Sequence, residues 1–241
     1  MGFYRKKPQP TVWGHRGLPT KWPENSLSGF DEARLKGADG IECDLRVTSD
    51  GEVIVMHDPL LSRTTGVKKA VGETAWSEIS TLRLKGPDGI LSQERVPRVR
   101  DVLETVDAHC LINFELKGRT QDGHALIPAL MHAIAQHHAE DRVLVSSFNP
   151  LLLRQLIVEH PEASTALLMD GLFPDMQALA TQIGTNVLHI NQESYDSKFI
   201  NHLRTAGFQI GIYEIWRPQD LLEIRQADAW FLDDPGWSKM L

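Results

Sequence analysis

Three carboxylates stand in or at the end of β-rich runs of the sequence, with a spacing that suits a metal site. Glu42 and Asp44 lie two positions apart in one run, so their side chains share one face of the strand. Glu115 ends another run. An acidic pair inside an otherwise apolar strand is electrostatically costly, and a bound cation would offset that cost. Carboxylate oxygens without a set of cysteines favour a hard ion, Mg²⁺ or Ca²⁺, over structural zinc.

Two histidines occupy comparable places at the ends of β-rich runs. His15 closes the first run and His57 closes the third. Histidine titrates near neutral pH, so a pair that faces one cleft can act as general base and general acid. Each is followed by a residue suited to orient or assist it, Arg16 and Asp58 respectively. The other histidines lie in or beside predicted helices and strand ends, where solvation or packing explains them.

Cationic side chains accompany these groups and suit the binding of a phosphate. Arg16 offers a planar fork, and Lys117, two residues after Glu115, offers a point charge. The run Gly14-His15-Arg16-Gly17 lets the backbone turn off the strand and approach a bound group. The alternative is that the carboxylates are rim residues paired with Arg16, Arg46 and Lys117. Spacing alone leaves both interpretations open.

The run Pro23-Glu24-Asn25-Ser26 is typical of a helix start. Either Asn25 or Ser26 can serve as the N-cap, and that structural role explains both residues without catalysis. It leaves Glu24 without an explanation.

Strands and helices alternate along the chain, which is the pattern of a parallel sheet covered by helices. The predicted strands are Thr11–His15, Gly40–Val47, Glu52–His57, Cys110–Glu115, Arg142–Ser147, Ser164–Met169, Asn186–Ile190, Gln209–Tyr213 and Ala229–Asp233. The predicted helices are Ser26–Lys36, Val99–Ala108, Gly123–His138, Pro150–Glu159, Pro174–Gln182, Ser197–Ala206 and Pro218–Gln226.

Nine predicted strands are one too many for an eight-stranded barrel. The turn sequence Thr48-Ser49-Asp50-Gly51 separates the second and third runs, and four residues cannot provide a parallel crossover. We therefore expect an antiparallel hairpin that extends the second strand past the rim and returns His57 to the mouth. Residues 59–95 are rich in glycine, with a weak helical stretch at Trp76–Leu82, and are expected to form a cap beside the mouth. The predicted fold is one (β/α)₈ barrel domain over residues 1–241.

Composition excludes several classes of protein. The 241 residues carry a net charge of −7 without a basic stripe, so nucleic acid is not an expected partner. No apolar run approaches the roughly 18–20 residues of a membrane span, and no apolar segment of the secretory type follows the start at Met1–Pro10. Two cysteines cannot make a disulfide framework. We expect a cytoplasmic protein with no stable membrane anchor, whose oligomeric state the sequence does not specify.

Five ordered motifs resemble those of the glycerophosphodiester phosphodiesterase family, and together they cover the first half of the chain. They are His15-Arg16-Gly17, Pro23-Glu24-Asn25-Ser26, Glu42-Cys43-Asp44, Asp50-Gly51 through His57-Asp58, and Glu115-Leu116-Lys117. The resemblance continues more weakly through Val96-Pro97, Ser146-Ser147-Phe148 and Asp233-Asp234-Pro235.

The resemblance implies a (β/α)₈ barrel that hydrolyses a small glycerophosphodiester to glycerol 3-phosphate and an alcohol. It implies one divalent cation, Mg²⁺ or Ca²⁺, held by the residues matching Glu42, Asp44 and Glu115. It also implies phosphate contacts from Arg16 and Lys117, and an acid/base pair at His15 and His57. We expect His15 to be the base and His57 the acid.

The seventh barrel strand departs from the family pattern. The family commonly has Trp-Thr followed by Asn there, whereas this chain has Tyr213-Glu214-Ile215-Trp216; near the end, Leu232 replaces the usual Thr. The departures concern the identity of the substrate, because the metal and histidine motifs are intact. Two other functions stay open, a lysophospholipase D-like activity and a phosphate-binding barrel without turnover. A zinc amidohydrolase barrel is disfavoured, because it would want a His-x-His pair where His15 is followed by Arg16 and Gly17.

Overall fold

Eight parallel strands close into a barrel in the computed structural model, which describes residues 3–4 and 9–240. The closure is made by β1, which pairs with the last strand on one side and with β2 on the other. In chain order the strands are β1 (Thr11–Gly14), β2 (Gly40–Val47), β3 (Val53–Val55), β4 (Arg83–Lys85), β5 (Leu91–Arg95), β6 (Leu111–Leu116), β7 (Val143–Ser147), β8 (Thr165–Met169), β9 (Val187–Asn191), β10 (Gln209–Tyr213) and β11 (Ala229–Leu232). The predicted (β/α)₈ barrel is confirmed.

Most helices cover the outside of the barrel, close to the positions that the sequence signals predict, and two short ones lie within residues 59–95. They are α1 (Leu27–Lys36), α2 (Ser62–Thr65), α3 (Trp76–Ile79), α4 (Val99–Thr105), α5 (Gly123–Gln136), α6 (Pro150–Glu159), α7 (Met176–Ile183) and α8 (Ser197–Thr205). Helix α1 shows the signals clearly. Its N-cap Ser26 accepts a hydrogen bond from the Gly29 N–H, and Gly37 ends it in the left-handed region at φ 107°. Among the described helices, none is long and apolar enough to cross a membrane.

The ninth strand is the return arm of a hairpin, as the turn sequence predicts. Strand β3 pairs antiparallel with the end of β2, with Val53 opposite Val47 and Val55 opposite Leu45. At the turn, Gly51 adopts φ 86° and its N–H donates to the Thr48 carbonyl. Residues 46–47 extend beyond the pairing of β2 with β6, which ends at Leu45. The hairpin therefore projects past the rim of the barrel and brings the chain back to its mouth.

Residues 59–95 form the expected cap, with more regular structure than predicted. Besides α2 and α3 they contain the antiparallel hairpin of β4 and β5, which the sequence analysis missed. The predicted helical stretch Trp76–Leu82 is shortened to α3. A separate apolar cluster joins the cap to the β2–β3 hairpin; its buried members are Ile54, Met56, Leu61, Val71, Ile79, Leu84 and Val96. The cap is therefore anchored to the strand that returns to the mouth.

The predicted helix Pro218–Gln226 is wrong, because this crossover contains only a 3-10 helix at Pro218–Leu222. Its backbone hydrogen bonds span three residues instead of four, because the Asp220 N–H donates to the Arg217 carbonyl and the Glu223 N–H donates to the Asp220 carbonyl.

The strand parity at β2 separates polar from apolar side chains as expected. Cys43 is fully buried in the cluster between the strands and the helical layer, next in sequence to Glu42 and Asp44, which face inward. The lower interior of the barrel is filled by an aromatic and aliphatic cluster that includes Trp13 and Phe231.

Tyr4 closes the end of the barrel opposite the mouth. Its hydroxyl lies 2.7 Å from His189 Nε2, and its backbone exchanges hydrogen bonds with the Gln209 side chain. Burial lowers the pKa of His189 to about 3, which keeps this histidine neutral inside the core. The sequence expectation about Met1–Pro10 falls in part on residues 1–2 and 5–8, which lie outside the described part of the chain.

Candidate active site

The three predicted carboxylates converge at the mouth of the barrel. Strands β2 and β6 are parallel neighbours, and their register sets Asp44 opposite Glu115. One oxygen each from Glu42, Asp44 and Glu115 lies within 4.8 Å of the other two, and all three residues are buried. Oxygen ligands of one Mg²⁺ or Ca²⁺ ion sit about 2.0–2.6 Å from it, so they lie within about 4–5 Å of one another. The spacing matches a single ion of this class.

Burial disfavours the charged form of these carboxylates. It raises the pKa of Glu42, and the neighbouring Asp44 charge raises it further. Burial likewise raises the pKa of Glu115, although Lys117 opposes the shift. At Asp44 burial acts in the same direction, but Lys117 and Arg16 outweigh it and hold the pKa below its usual range. Asp44 is therefore the fixed negative charge, and the two glutamates are the groups that a further cation would stabilise.

Glu42, Asp44 and Glu115, called the triad below, also present oxygens that suit a metal. Glu42 Oε1, Asp44 Oδ1 and Glu115 Oε1 are buried, and none accepts a well-formed hydrogen bond. Lys117 Nζ makes ion-pair contacts with two of them, at 3.2 Å from Asp44 Oδ1 and 2.5 Å from Glu115 Oε1. Glu42 Oε1 has no such contact, and a buried acceptor without a donor is rare in native proteins and requires an explanation. A divalent ion bound by one oxygen from each carboxylate would supply it.

The loop after β1 holds two of these carboxylates from outside. Asn25, at φ 59°, donates from Nδ2 to Asp44 Oδ2 at 2.8 Å and accepts the Asp44 N–H at 3.2 Å. The Arg16 N–H donates to Glu42 Oε2 at 2.9 Å. Of the two candidate caps, Ser26 is the N-cap of α1, and Asn25 orients a carboxylate of the triad. Outer contacts of this kind fix the direction of metal ligands.

Each histidine is held through Nδ1 by an aspartate. His57 Nδ1 lies 2.8 Å from Asp58 Oδ1, as expected. His15 Nδ1 lies 2.7 Å from Asp233 Oδ1, so its partner is Asp233 and not the expected Arg16. In both rings this leaves Nε2 as the nitrogen available for proton transfer, and both histidines line the cavity at the mouth.

The pKa values of the two histidines are shifted in opposite directions. Burial lowers the pKa of His57, and this effect prevails over the nearby Asp44 charge. Burial acts the same way on His15, but its hydrogen bond with Asp233 and the Glu42 charge outweigh it, and the pKa of His15 is raised. Without a cation at the triad, these directions favour a neutral His57 ring and a protonated His15 ring, and the base and acid roles expected from the sequence stay a prediction.

One cavity of about 260 Å³ is lined by all the predicted site residues except Asp44. It is lined by His15, Arg16, Glu42, His57, Asn113, Glu115, Lys117, Phe148, Leu168, Asp170, Tyr213, Glu214 and Phe231. Arg16 and Lys117 therefore face the same space as Glu42 and Glu115. Arg46 does not pair with the carboxylates; its Nε donates to the His57 carbonyl at 2.8 Å.

The sequence analysis did not single out three polar residues of the site. Asp233 was part of the terminal motif, so its place at the end of the last strand was the available signal. Asn113 precedes Glu115 by two positions and shares its inward face, a period that could have identified it. Asp170 follows β8 directly and lies 2.8 Å from the Tyr213 hydroxyl. Only its position at a strand end indicated it.

Comparison with known proteins agrees with this geometry. Residues 15–236 match the family profile described as the glycerophosphoryl diester phosphodiesterase family. The chain belongs to this family. Its enzyme class is therefore glycerophosphodiester phosphodiesterase, as the motifs indicated.

Relatives of the family support the assignment over nearly the whole chain. A glycerophosphodiester phosphodiesterase of Caldanaerobacter subterraneus is 30% identical over 232 residues, which cover 93% of this chain and 94% of the relative. The structure of an Oleispira antarctica phosphodiesterase, in complex with the product sn-glycerol-3-phosphate, superposes with a TM-score of 0.90 at 26% identity and covers 96% of both chains. An Agrobacterium tumefaciens glycerophosphodiester phosphodiesterase superposes at 0.82, with 26% identity, over 95% of this chain and 99% of that one.

The triad geometry predicts that Glu42→Gln and Asp44→Asn each weaken the binding of Mg²⁺ or Ca²⁺, by about tenfold or more, or about 1.4 kcal/mol. Isothermal titration calorimetry measures this affinity directly.

The two variants should differ in stability without metal. Glu42→Gln removes a buried charge whose pKa is raised and should not lower the free energy of unfolding, whereas Asp44→Asn breaks its contacts with Lys117 and Arg16 and should lower it.

Cys43→Ser is the matched control for these variants, because Cys43 lies between them on the opposite face. It should leave metal affinity unchanged and at most lower stability. Loss of metal affinity in Cys43→Ser, or full affinity in both carboxylate variants, would contradict the assigned strand parity and ligand set.

Proposed function

We propose that this chain hydrolyses small glycerophosphodiesters to glycerol 3-phosphate and an alcohol in a reaction that depends on one divalent cation. The observation that carries the proposal is the placement of three buried carboxylates, two cations and two aspartate-bound histidines around one cavity. The product complex of the Oleispira antarctica relative supports the proposed product.

Glu42, Asp44 and Glu115 are proposed to hold the ion, Mg²⁺ or Ca²⁺. When bound, it would polarise a phosphoryl oxygen and offset charge that develops there. Arg16 and Lys117 are proposed to contact the phosphate. In the free protein the Arg16 and Lys117 side chains lie against carboxylates of the site. These contacts keep both side chains in place before substrate arrives.

His15 and His57 are proposed as the acid/base pair. Asp233 and Asp58 bind their Nδ1 atoms, so Nε2 of one ring can accept the proton of the attacking hydroxyl while Nε2 of the other donates to the leaving oxygen. We retain His15 as base and His57 as acid. Glu42 is one of the charges that raise the pKa of His15, and a cation at the triad would compensate it.

A lysophospholipase D-like activity is the second candidate, because Phe148, Leu168 and Phe231 give the cavity an apolar wall. Ligand pockets for drug-sized molecules usually span roughly 300–1,000 Å³. At about 260 Å³ this cavity suits a small headgroup better than a lipid with an acyl chain. Parallel assays on glycerophosphocholine and lysophosphatidylcholine separate the two candidates, and faster turnover of the lysolipid would favour the second.

The proposed cation dependence predicts that chelation abolishes turnover. Incubation with glycerophosphocholine should release glycerol 3-phosphate and choline; EDTA should stop the release, and excess Mg²⁺ or Ca²⁺ should restore it. Both products are measured, so that cleavage on the other side of the phosphate is detected. Full activity of protein that elemental analysis shows to be metal-free would refute the proposal, and so would phosphate binding without any hydrolysis.

The histidine roles predict different responses to the leaving group. His15→Ala and His57→Ala should each bind metal normally and lose roughly 10²–10⁴-fold in turnover of glycerophosphocholine. A p-nitrophenyl diester releases p-nitrophenolate, a leaving group that needs no protonation. The variant that lacks the acid should therefore recover most of its rate on this substrate. We expect recovery for His57→Ala and none for His15→Ala. Recovery of His15→Ala alone would reverse the two roles.

Glu214 predicts a preference among headgroups. It lines the cavity together with Asp170, and the Asn191 side chain donates to it, so a cationic alcohol would be favoured. Choline and ethanolamine diesters should have a higher kcat/KM than glycerophosphoglycerol or glycerophosphoinositol, and Glu214→Gln should narrow the difference. Glu193→Gln, at an exposed position outside the cavity lining, is the control. Equal rates on all four diesters in the wild type would contradict this preference.

A further inference from the structure

Arg63, in helix α2 of the cap, joins two carboxylates across the edge of the mouth. Its Nε and Nη2 donate to Asp58 at 2.7 and 3.1 Å, and Nη2 also donates to Glu24 Oε1 at 2.8 Å. Its Nη1 donates to Glu24 Oε2. The guanidinium therefore uses its planar fork on two partners from different parts of the chain.

Both carboxylate partners of Arg63 contact residues of the active site. Asp58 lies 2.8 Å from His57 Nδ1. On the other side Glu24 accepts from Arg16 Nη1 at 3.2 Å, and Arg16 Nε lies 3.3 Å from Asp44. This row of side chains, which we call the charge row, runs in the order His57, Asp58, Arg63, Glu24, Arg16 and Asp44. It gives Glu24 the structural explanation that its sequence motif lacked.

The row is more than a surface ion pair. The Asp58 and Glu24 side chains are only 25% and 18% exposed, and among the described residues Arg63 is the one cation in contact with both. Its hydrogen bonds lower the pKa of Asp58 to about 2. Without Arg63 the Asp58 carboxylate would be free to rotate toward solvent, and the His57 ring would lose the contact that fixes it.

The backbone of Arg63 is itself fixed by packing. The preceding Leu61 is fully buried in the cap cluster, and the following Thr64 hydroxyl donates to the sulfur of Met56. Met56 directly precedes His57. The cap therefore presents the guanidinium from a packed support, at a fixed place relative to the histidine.

We propose that Arg63 is a positioning residue, which orients His57 through Asp58 and couples the docking of the cap to the geometry of the catalytic histidine. The proposal rests on the proposed role of His57 in proton transfer. Arg63 itself does not line the cavity and acts only through its carboxylate partners.

Kinetics of Arg63 variants test the proposal. Arg63→Met should lower kcat on glycerophosphocholine by roughly 10–100-fold, the range typical for loss of an outer-shell partner, with KM changed less than about threefold. Calorimetric affinity for the metal should stay within about threefold of the wild type, because the triad is intact. Arg63→Lys keeps the charge but cannot bind both carboxylates in a fork. Its kcat should therefore fall between that of the wild type and that of Arg63→Met.

Lys69→Met is the matched control. Lys69 pairs with Glu78 at 2.6 Å in the same cap, away from the cavity lining, so kcat should stay at the wild-type value. A loss in Lys69→Met equal to that in Arg63→Met would show a general effect of cap charge and overturn the proposal.

A double-mutant cycle with Asp58→Asn identifies the route. If Arg63 acts through Asp58, Arg63→Met should cause little further loss in the Asp58→Asn background. Fully additive losses, or unchanged kcat in Arg63→Met, would overturn the proposal.

Nitrogen NMR of His57 in the free protein separates this proposal from the proposed function. The wild type should hold the neutral ring with its proton on Nδ1, and Arg63→Met should shift it toward a mixture of tautomers. If the wild type does not hydrolyse diesters, the proposed function fails whatever the NMR result. If it does, and the His57 tautomer is the same in Arg63→Met, the positioning role is wrong.

Discussion

The mutual repulsion of three buried carboxylates is the constraint on which the site depends. Parallel pairing of β2 with β6 brings Asp44 beside Glu115, and the period of two residues adds Glu42 on the same face. Solvent does not screen these charges, since all three residues are buried. The surrounding donors, from Asn25, Arg16 and Lys117, reduce this cost only in part. A cation bound by the three carboxylates, as proposed above, would offset the remaining cost.

The charges outside the triad are arranged in alternation, so that each is offset by a neighbour of opposite sign. Arg16 and Lys117 lie against Asp44, and Arg63 lies between Asp58 and Glu24. Such an arrangement costs little reorganisation when a charged ligand enters, because the dipoles and ions are already in place. The cap takes part in this arrangement and is therefore more than a wall of the cavity.

The sequence predicted the strands that carry chemistry because their signals are local. The alternation of β2, the turn at Asp50-Gly51 and the inward parity of Glu42 and Asp44 all depend on neighbours within about ten residues. The missed features are set by distant contacts. Asp233, for example, reaches His15 across 218 positions. The β4–β5 hairpin was hidden by the glycine-rich composition of the cap, which resembles that of a loop.

The closure of the barrel by β1 and β11 has a consequence for the order in which the site is assembled during folding. Glu42, Asp44 and His57 lie within 16 residues of one another on a single hairpin, a contact of low order that can form early. His15 receives Asp233 only when the first and last strands pair, a contact with the longest loop to close. The carboxylate cluster, which Glu115 of β6 completes, can thus form before the first and last strands meet. While the barrel is still open, the carboxylates and His57 would be together and His15 would still lack Asp233.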